Sequence, residues 1–293
     1  MTWWTVINPS AGGRRDAAAR TGRALDALGI DADLHVSEDA SQLADRVADA
    51  IRAGHDRFLA VGGDGTANLV VNALLRHSWA EPPLLGILPA GSGCDFIRTF
   101  GIPQRLEDAA GHLLGDDTRL VDVGLLEGPW GNRYFLNAAG SGLTANIAAT
   151  AERLPSRLGA VRHRLAIWPT LLRFPRSEIE LQAGELSYRG PAIMVVFANA
   201  KFVAGGMKIA PDTAPDDGVL NIQVFTGPKR QAIILKPRVQ RGTHLGHRGV
   251  RLLEAAEFTL HTDPEWPVEA DGEYLGTGQL RGSVIPKALR VKV

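Results

Sequence analysis

The sequence predicts a two-domain α/β protein: a parallel-sheet α/β domain over residues 1–120 and a mostly antiparallel β domain with helical insertions over 121–293. Three observations predict it. Over residues 1–118 short apolar runs alternate with amphipathic helical stretches, the pattern of βαβ units around a parallel sheet. Three glycine-bearing turns, at 9–13, 62–66 and 90–93, each follow one of those apolar runs. Beyond about residue 120 strand-like runs succeed one another across turns, which is how antiparallel sheets are written.

Thr2 to Asn8 reads as the first strand, closed by Asn8-Pro9-Ser10-Ala11-Gly12-Gly13. A helix follows with Ala17, Ala24, Leu25 and Leu28 on one face and a stop at Gly29. Ala32 to Ser37 is the second strand. Ser41 is expected to cap the next helix, where Ala44, Val47, Ala48 and Ile51 share a face and Gly54 ends it. Phe58 to Val61 is a third strand and Leu84 to Pro89 a fourth, and the latter runs into Ala90-Gly91-Ser92-Gly93-Cys94-Asp95-Phe96. In the second domain the strand-like runs are Arg119–Leu126, Arg133–Ala138, Glu178–Leu181, Ala192–Ala198, Leu220–Phe225, Glu257–Thr262, Val268–Ala270 and Ser283–Val293. Helical insertions are expected at Leu143–Glu152 and, punctuated by Pro169, at Arg157–Phe174. With no evident linker, the two domains are expected to abut with a cleft between them.

Composition bounds the function. At 293 residues the chain is long enough for two domains, and its 45% hydrophobic and 22% charged content is ordinary for a globular protein. The net charge of zero gives no global attraction to nucleic acid or to an anionic membrane. A single cysteine, Cys94, excludes intrachain disulfides and fits a reducing compartment, so a cytoplasmic location is expected. The strand-like N-terminus lacks the basic region of a signal peptide, and no apolar run approaches the ~20 residues of a membrane span.

The chemistry concentrates in the stretch 58–66, Phe-Leu-Ala-Val-Gly-Gly-Asp-Gly-Thr. A strand enters, Gly62, Gly63 and Gly65 free the backbone, and Thr66 can start a helix through Asn68 to Leu74. Bared amides and a helix N-terminus favour a phosphate anion. Asp64 adds a carboxylate beside it, which suits a magnesium–nucleotide. The same residues would also serve a tight strand-to-helix turn with a solvated Asp64. Ligands of parallel sheets gather at the carboxyl ends of strands, and all three glycine turns stand there.

Taken together the turns resemble the diacylglycerol kinase catalytic domain family, which includes bacterial soluble lipid kinases, sphingosine kinases and ceramide kinases. The resemblance is carried by Asn8-Pro9-x-Ala11-Gly12, by Gly62-Gly63-Asp64-Gly65-Thr66 with Asn72, and by Leu85-Gly86-Ile87-Leu88-Pro89-x-Gly91-Ser92-Gly93-x-Asp95-Phe96-x-Arg98. Further on it is carried by Asp122-Val123-Gly124, Asn137-x-x-Gly140-x-Gly142, Asn199, Gly205-Gly206-Met207, Ala210-Pro211, Asp216-Asp217-Gly218-x-Leu220 and Asp271-Gly272-Glu273.

The resemblance implies an N-terminal domain like that of NAD kinases, a β-sandwich-like second domain and an active site in the cleft between them. It implies ATP and magnesium as cofactors and transfer of the γ-phosphate to a hydroxyl of diacylglycerol or a related lipid, a step in phospholipid biosynthesis. It places the nucleotide on Asn8, Ser37, Gly62, Gly63, Asp64, Gly65, Thr66, Asn68, Gly91, Ser92, Gly93 and Asp95. Asp64 would carry the catalytic metal, and Asp271 and Glu273 would be the catalytic pair, one of them the base. A structural magnesium would sit on Asp217 with the backbone carbonyls of Ala214 and Val219. Read without the family, Asp271-Gly272-Glu273 is also a hairpin turn, and Asp216-Asp217 an acidic turn between strands. Gly140-Ser141-Gly142 could pass for a dinucleotide fingerprint, but His163, Arg164 and Leu165 stand where its acidic partner would be.

Two basic, acid-free stretches suggest peripheral contact with a membrane surface. Arg157–Arg176 mixes five arginines with Leu158, Leu165, Ile167, Trp168, Leu171, Leu172 and Phe174. Lys229–Arg251 holds seven Lys or Arg and two His. Either could equally be a solvated helix face or a packed helix with snorkelling arginines. Aromatics are not interleaved as base-stacking platforms, so nucleic acid is not expected. The β domain could pair into a homodimer. The chain departs from the family at Leu69, where a carboxylate is usual, at Cys94 for asparagine and at Ala204 for glycine. Two alternatives follow: a kinase of a soluble hydroxyl acceptor, and a nucleotide-binding protein without turnover.

Overall fold

The computed structural model describes residues 2–8, 16–37, 39–91, 94–155, 158, 161–228 and 230–293. The expectations at 9–13, at Ser92 and Gly93, and at Arg157 lie outside the described residues. The chain forms two compact units, Met1–Val123 with Pro286–Val293, and Gly124–Ile285.

In the first unit β1 (Trp3–Ile7), α1 (Ala17–Ala27), β2 (Ala32–Val36), α2 (Ala40–Arg52), β3 (Arg57–Gly62), α3 (Asp64–Leu74) and β4 (Leu84–Pro89) alternate strictly. The strands lie in the order β2-β1-β3-β4 and all pair in parallel. β1, β4 and most of β3 are buried throughout, as strands covered by helices on both faces must be. β2, at the edge, exposes Leu34 and Val36. Two starts differ from the sequence reading. The cap of α2 is Asp39, not Ser41: its backbone is extended and its carboxylate accepts the Gln42 amide at 2.9 Å. α3 begins at Asp64 with Gly63 as cap, so Thr66 lies inside the first turn. The short helices α4 (Asp95–Arg98) and α5 (Leu106–Ala109) follow, then β5 (Thr118–Gly128).

The second unit opens with β6 (Gly131–Phe135), β7 (Ala138–Gly142), α6 (Leu143–Glu152) and α7 (Val161–Arg173). β8 (Ser177–Ala183), β9 (Leu186–Ala192), β10 (Met194–Ala198), β11 (Phe202–Val203), β12 (Met207–Lys208) and β13 (Leu220–Phe225) come next. The chain then runs through α8 (Arg230–Arg241), β14 (Val250–Ala255), β15 (Glu257–Asp263), β16 (Pro267–Ala270), β17 (Glu273–Thr277) and β18 (Leu280–Lys292). β9 is absent from the sequence reading because Gly190 and Pro191 look like turn residues; an edge strand tolerates both.

One sheet of this unit runs β18-β15-β8-β9 and the other β14-β13-β10-β7-β16-β17, with antiparallel pairing throughout. β8 and β15 bury alternate residues, Ile179 and Leu181 on one, Phe258 and Leu260 on the other. That alternation builds a one-sided face. Phe258 stacks on Phe197 of β10, ring centroids 3.7 Å apart, so the core lies between the two sheets. At its far end β18 pairs in parallel with β4 inside the first unit.

Phe197 is fully buried. Phe197→Ala should therefore cost about 3–5 kcal/mol, read as a fall in the urea midpoint at unchanged slope.

Candidate active site

In the first unit the predicted nucleotide residues meet at the carboxyl ends of the parallel strands. Ile7 stands opposite Val61, and Gly62 opposite Pro89. Beyond the ladder, the Asn8 amide donates to the Val61 carbonyl at 3.1 Å, Ser37 to Ile7 at 3.1 Å and Ala90 to Gly62 at 2.9 Å. Asn8, Ser37, Gly62 and Ala90–Gly91 thus form one edge. The chain leaves β1 for β2 on one side and reaches β3 on the other, so that edge includes a topological switch point, where α/β sheets bind ligands.

The glycines of the turn do different jobs. A Cβ at Gly62 would lie 2.2 Å from the Thr66 hydroxyl, so glycine is required there for the helix to close on the strand. Thr66 is buried and its hydroxyl accepts from the Asn8 side-chain amide at 3.1 Å. A Cβ at Gly65 would meet nothing within 4 Å, and this residue has no left-handed φ. Neither packing nor dihedral strain explains a glycine at 65, on the exposed first turn of α3. Open access to the backbone amides at that helix N-terminus does.

Asp64 links two turns. Its carboxylate accepts the amides of Asp95 at 2.9 Å and Phe96 at 3.1 Å, and the Cys94 thiol at 3.6 Å. It therefore caps α4 from the first turn of α3. Asp95 is itself buried, with Arg98 at 3.4 Å. Asn68 is buried on α3, where the Asn72 side-chain amide donates to its carbonyl and its Oδ1.

In the second unit Asp271 and Gly272 form the two-residue turn of the β16–β17 hairpin, with φ of 48° and 84°. Positive φ at both positions is the type I′ signature that Asp-Gly favours, so the hairpin reading is right. The carboxylate does more than turn the chain. Its Oδ2 accepts the Leu136 amide at 2.8 Å, and its Oδ1 accepts Asn137 at 2.9 Å and Ala138 at 3.2 Å. The Asp271 amide returns a bond to the Ala138 carbonyl at 2.9 Å. The bend at 136–138 is held from behind by Asn199, which donates to Leu136 and Asn137. Glu273, half-exposed, pairs with Arg133.

Sequence reasoning gave no role to Arg133, Asn199, Glu152 or Glu269. Glu152 accepts the Tyr274 amide at 3.2 Å, and Glu269 accepts the Gly272 amide at 2.9 Å. Asn199 alone carried a signal, as one of the quoted motif residues. The Gly140–Gly142 glycines serve packing. A Cβ at Gly142, which has φ 97°, would stand 2.7 Å from the Ile193 carbonyl and from the Trp266 ring. One at Gly140 would strike Thr144 and Glu269.

Ala214, Asp217 and Val219 do come together. The Asp217 carboxylate accepts the amides of Ala214 at 3.2 Å and Val219 at 3.1 Å around Gly218. Among the described residues no group of three or more His, Cys, Asp or Glu side chains is gathered as a metal cage. A magnesium–nucleotide needs only one or two carboxylates plus phosphate oxygens. Asp64, a partly exposed carboxylate in the first turn of α3, is of that kind. An open groove of about 590 Å³ on the β8–β9–β15–β18 sheet, lined partly by Glu127, Arg189, His261 and Arg281, holds none of the predicted site residues.

A YegS C-terminal, NAD kinase beta sandwich-like domain matches residues 137–293, and a diacylglycerol kinase catalytic domain matches residues 2–126. The chain belongs to this family, and the class of enzyme is a lipid kinase, a phosphotransferase. Among its relatives are the "Probable lipid kinase YegS" of Salmonella typhimurium, 26% identical over 84% of this chain and 81% of that one. Another is the "Diacylglycerol kinase" of Staphylococcus haemolyticus, 29% identical over 78% of this chain and 68% of that one. The fold matches a crystal structure described as a putative diacylglycerol kinase from Bacillus anthracis, TM-score 0.81 at 22% identity, over 99% of this chain and 94% of that one.

Gly65→Ala puts a methyl where the protein has open space and should raise helix propensity by about 0.5–1 kcal/mol. The expected result is an unchanged or higher Tm with ATP affinity lowered at least tenfold, measured by calorimetry. Retained ATP affinity would assign the open face to something other than phosphate.

Proposed function

We propose that the chain is an ATP- and magnesium-dependent kinase that transfers the γ-phosphate to a hydroxyl of diacylglycerol or a related lipid. One observation carries the nucleotide half: Asn8, Ser37, Gly62–Thr66 and Gly91 share the carboxyl edge of one parallel sheet, with a Gly65 that neither packing nor its φ requires. In this reading the amides at the α3 N-terminus hold phosphate oxygens, helped by the helix dipole. Ser92 and Gly93 belong to the same proposed set. Asp64 would hold magnesium, which when bound neutralises charge on the phosphates. Asp217 would hold the structural ion, its turn offering hard oxygen donors.

Asp271 is assigned as the base. Its Oδ1 accepts the Asn137 and Ala138 amides and its Oδ2 the Leu136 amide, so the carboxylate is held in one orientation. In the proposed step the acceptor hydroxyl gives its proton to Asp271 as its oxygen bonds to the γ-phosphorus, and the bond from that phosphorus to the ADP oxygen breaks. Glu273, held by Arg133, is the second carboxylate and orients the acceptor.

Support for a lipid acceptor taken from a membrane surface comes from α7. Val161, Leu165, Pro169 and Arg173 recur every four residues on its exposed side, while Ala166, Thr170 and Leu171 are buried. An apolar stripe facing water and flanked by arginine suits an interfacial helix. α8 buries Leu235 and Val239 and exposes Ile234, Lys236 and Arg238. Among the described residues no helix is long and apolar enough to cross a membrane, so contact would be peripheral.

The decisive assay follows labelled γ-phosphate from ATP into diacylglycerol in phosphatidylglycerol vesicles and into soluble alcohols. Transfer to lipid supports the reading; transfer only to a soluble acceptor, or to none with ATP still bound, supports its alternatives. Asp271→Asn should lower turnover by at least about a hundredfold, the lower end of what general bases contribute, while ATP affinity stays. Undiminished turnover removes the base assignment.

A further inference from the structure

Glu269 is a carboxyl beside Asp271 that the proposed mechanism leaves without a task. It stands two residues before Asp271 on β16, opposite Gly140 of β7 and Tyr274 of β17. The β16–β17 register shifts between Val268 and Glu269, so a bulge re-aims this position. Although the residue keeps some exposure, its carboxyl is turned inward over the Cβ-less face of Gly140. A Cβ at 140 would be 2.6 Å from Glu269 Oε1 and 2.5 Å from the Thr144 hydroxyl. The other oxygen, Oε2, accepts the Gly272 amide at 2.9 Å and closes the turn that carries Asp271.

We propose that Glu269 is a positioning residue: by gripping the Gly272 amide it fixes the type I′ turn, and so holds Asp271 against the amides of Leu136, Asn137 and Ala138. The inference rests on the kinase reading for what Asp271 then does, but not for the grip itself.

The same placement makes the grip sensitive to pH. Burial pushes the Glu269 pKa up from the usual 4.5 to about 8, the Gly272 amide opposes that, and the charge of Asp271 adds to it. The ionisable groups on the elements packed against it are few. They are Arg133 and Tyr134 on β6, Glu152 on α6, and Glu273 and Tyr274 on β17; β7 has none. At neutral pH Glu269 therefore holds its proton. Above about pH 8 a second negative charge arises beside Asp271 at a carboxyl that burial desolvates; the Gly272 amide favours the charged form, but desolvation is the larger effect and drives the side chain outward, releasing Gly272. The folded protein retains a proton that the unfolded chain gives up near pH 4.5, so stability falls from there to about pH 8. Glu269→Gln keeps an oxygen for Gly272, carries no charge and removes that fall.

Two readouts test this. In vesicles of phosphatidylglycerol and diacylglycerol, Glu269→Ala is expected to lose tenfold to a hundredfold in kcat with KM for ATP little changed, the scale of a displaced reacting group. The natural protein should lose activity above pH 8, and Glu269→Gln should restore most of the kcat and flatten that alkaline fall. The second readout needs no acceptor: the Gly272 amide ¹⁵N shift should titrate with a midpoint near pH 8, and stay flat in Glu269→Gln. A Gly272 shift that titrates equally in both proteins, or none near pH 8 in the natural one, overturns the inference whatever the acceptor proves to be. Loss of phosphate transfer to every lipid with the Gly272 titration intact leaves the grip standing and overturns the kinase reading instead.

Discussion

Each unit depends on one aspartate carboxylate that collects backbone amides from a neighbouring bend. In the first unit it is Asp64, which takes the amides of Asp95 and Phe96. In the second it is Asp271, which takes those of Leu136, Asn137 and Ala138. Hydrogen bonds to a charged acceptor contribute about 1.5–3 kcal/mol each, more than neutral pairs, and less is lost to water when they are partly buried. The geometry of a loop is thereby set by a residue remote in sequence, 31 and 135 positions away in these two cases. A loop fixed in this way can present amides or a carboxylate to a ligand without first having to order itself.

The Asp271 turn shows how a structural demand and a chemical one select the same residues. A two-residue hairpin loop needs positive φ at both positions, which aspartate and glycine tolerate best. A non-glycine residue there costs about 1–2 kcal/mol. Three amides on the carboxylate, and the return bond from the Asp271 amide to Ala138, offset that cost. An asparagine would make an equally good turn, but it could not accept three amides with a full charge. The pattern of bonds, more than the turn, argues that the carboxylate is wanted for itself.

Much of this was legible in sequence because it is local. Strand-then-glycine-then-helix marks Gly62–Thr66 wherever it occurs, and the period-2 burial of β8 and β15 is written in their residues. What stayed hidden is what depends on pairing at a distance. Nothing in Leu280–Lys292 signals that its end pairs in parallel with β4, because either sheet would accept Leu289 and Val291. Gly190 and Pro191 concealed β9, since their tolerance depends on an edge position that no local pattern reveals. The cap of α2 was misplaced from Asp39 to Ser41, because both residue types cap and only the backbone decides. Glu269 and Arg133 read as ordinary strand charges; their roles appear only once β16, β7 and β6 are brought together.

The departures at 94 and 69 bear differently on whether the chain turns over. Replacing an asparagine by Cys94 looks, in sequence, like the loss of a hydrogen-bond donor beside the nucleotide turn. The folded chain keeps one. Burial, and next the charge of Asp64, hold the Cys94 thiol well above its usual range, so it stays protonated at neutral pH and donates to Asp64. Its amide is taken by Gln104 at 3.0 Å. The thiol thus supplies a donor to Asp64, weaker than an amide. Leu69 offers no such replacement for a carboxylate, and it lies half-buried on α3 one turn beyond Gly65. The case for a chain without turnover therefore narrows from two missing groups to a single missing charge, set against an Asp64 and an Asp271 that are both held in place.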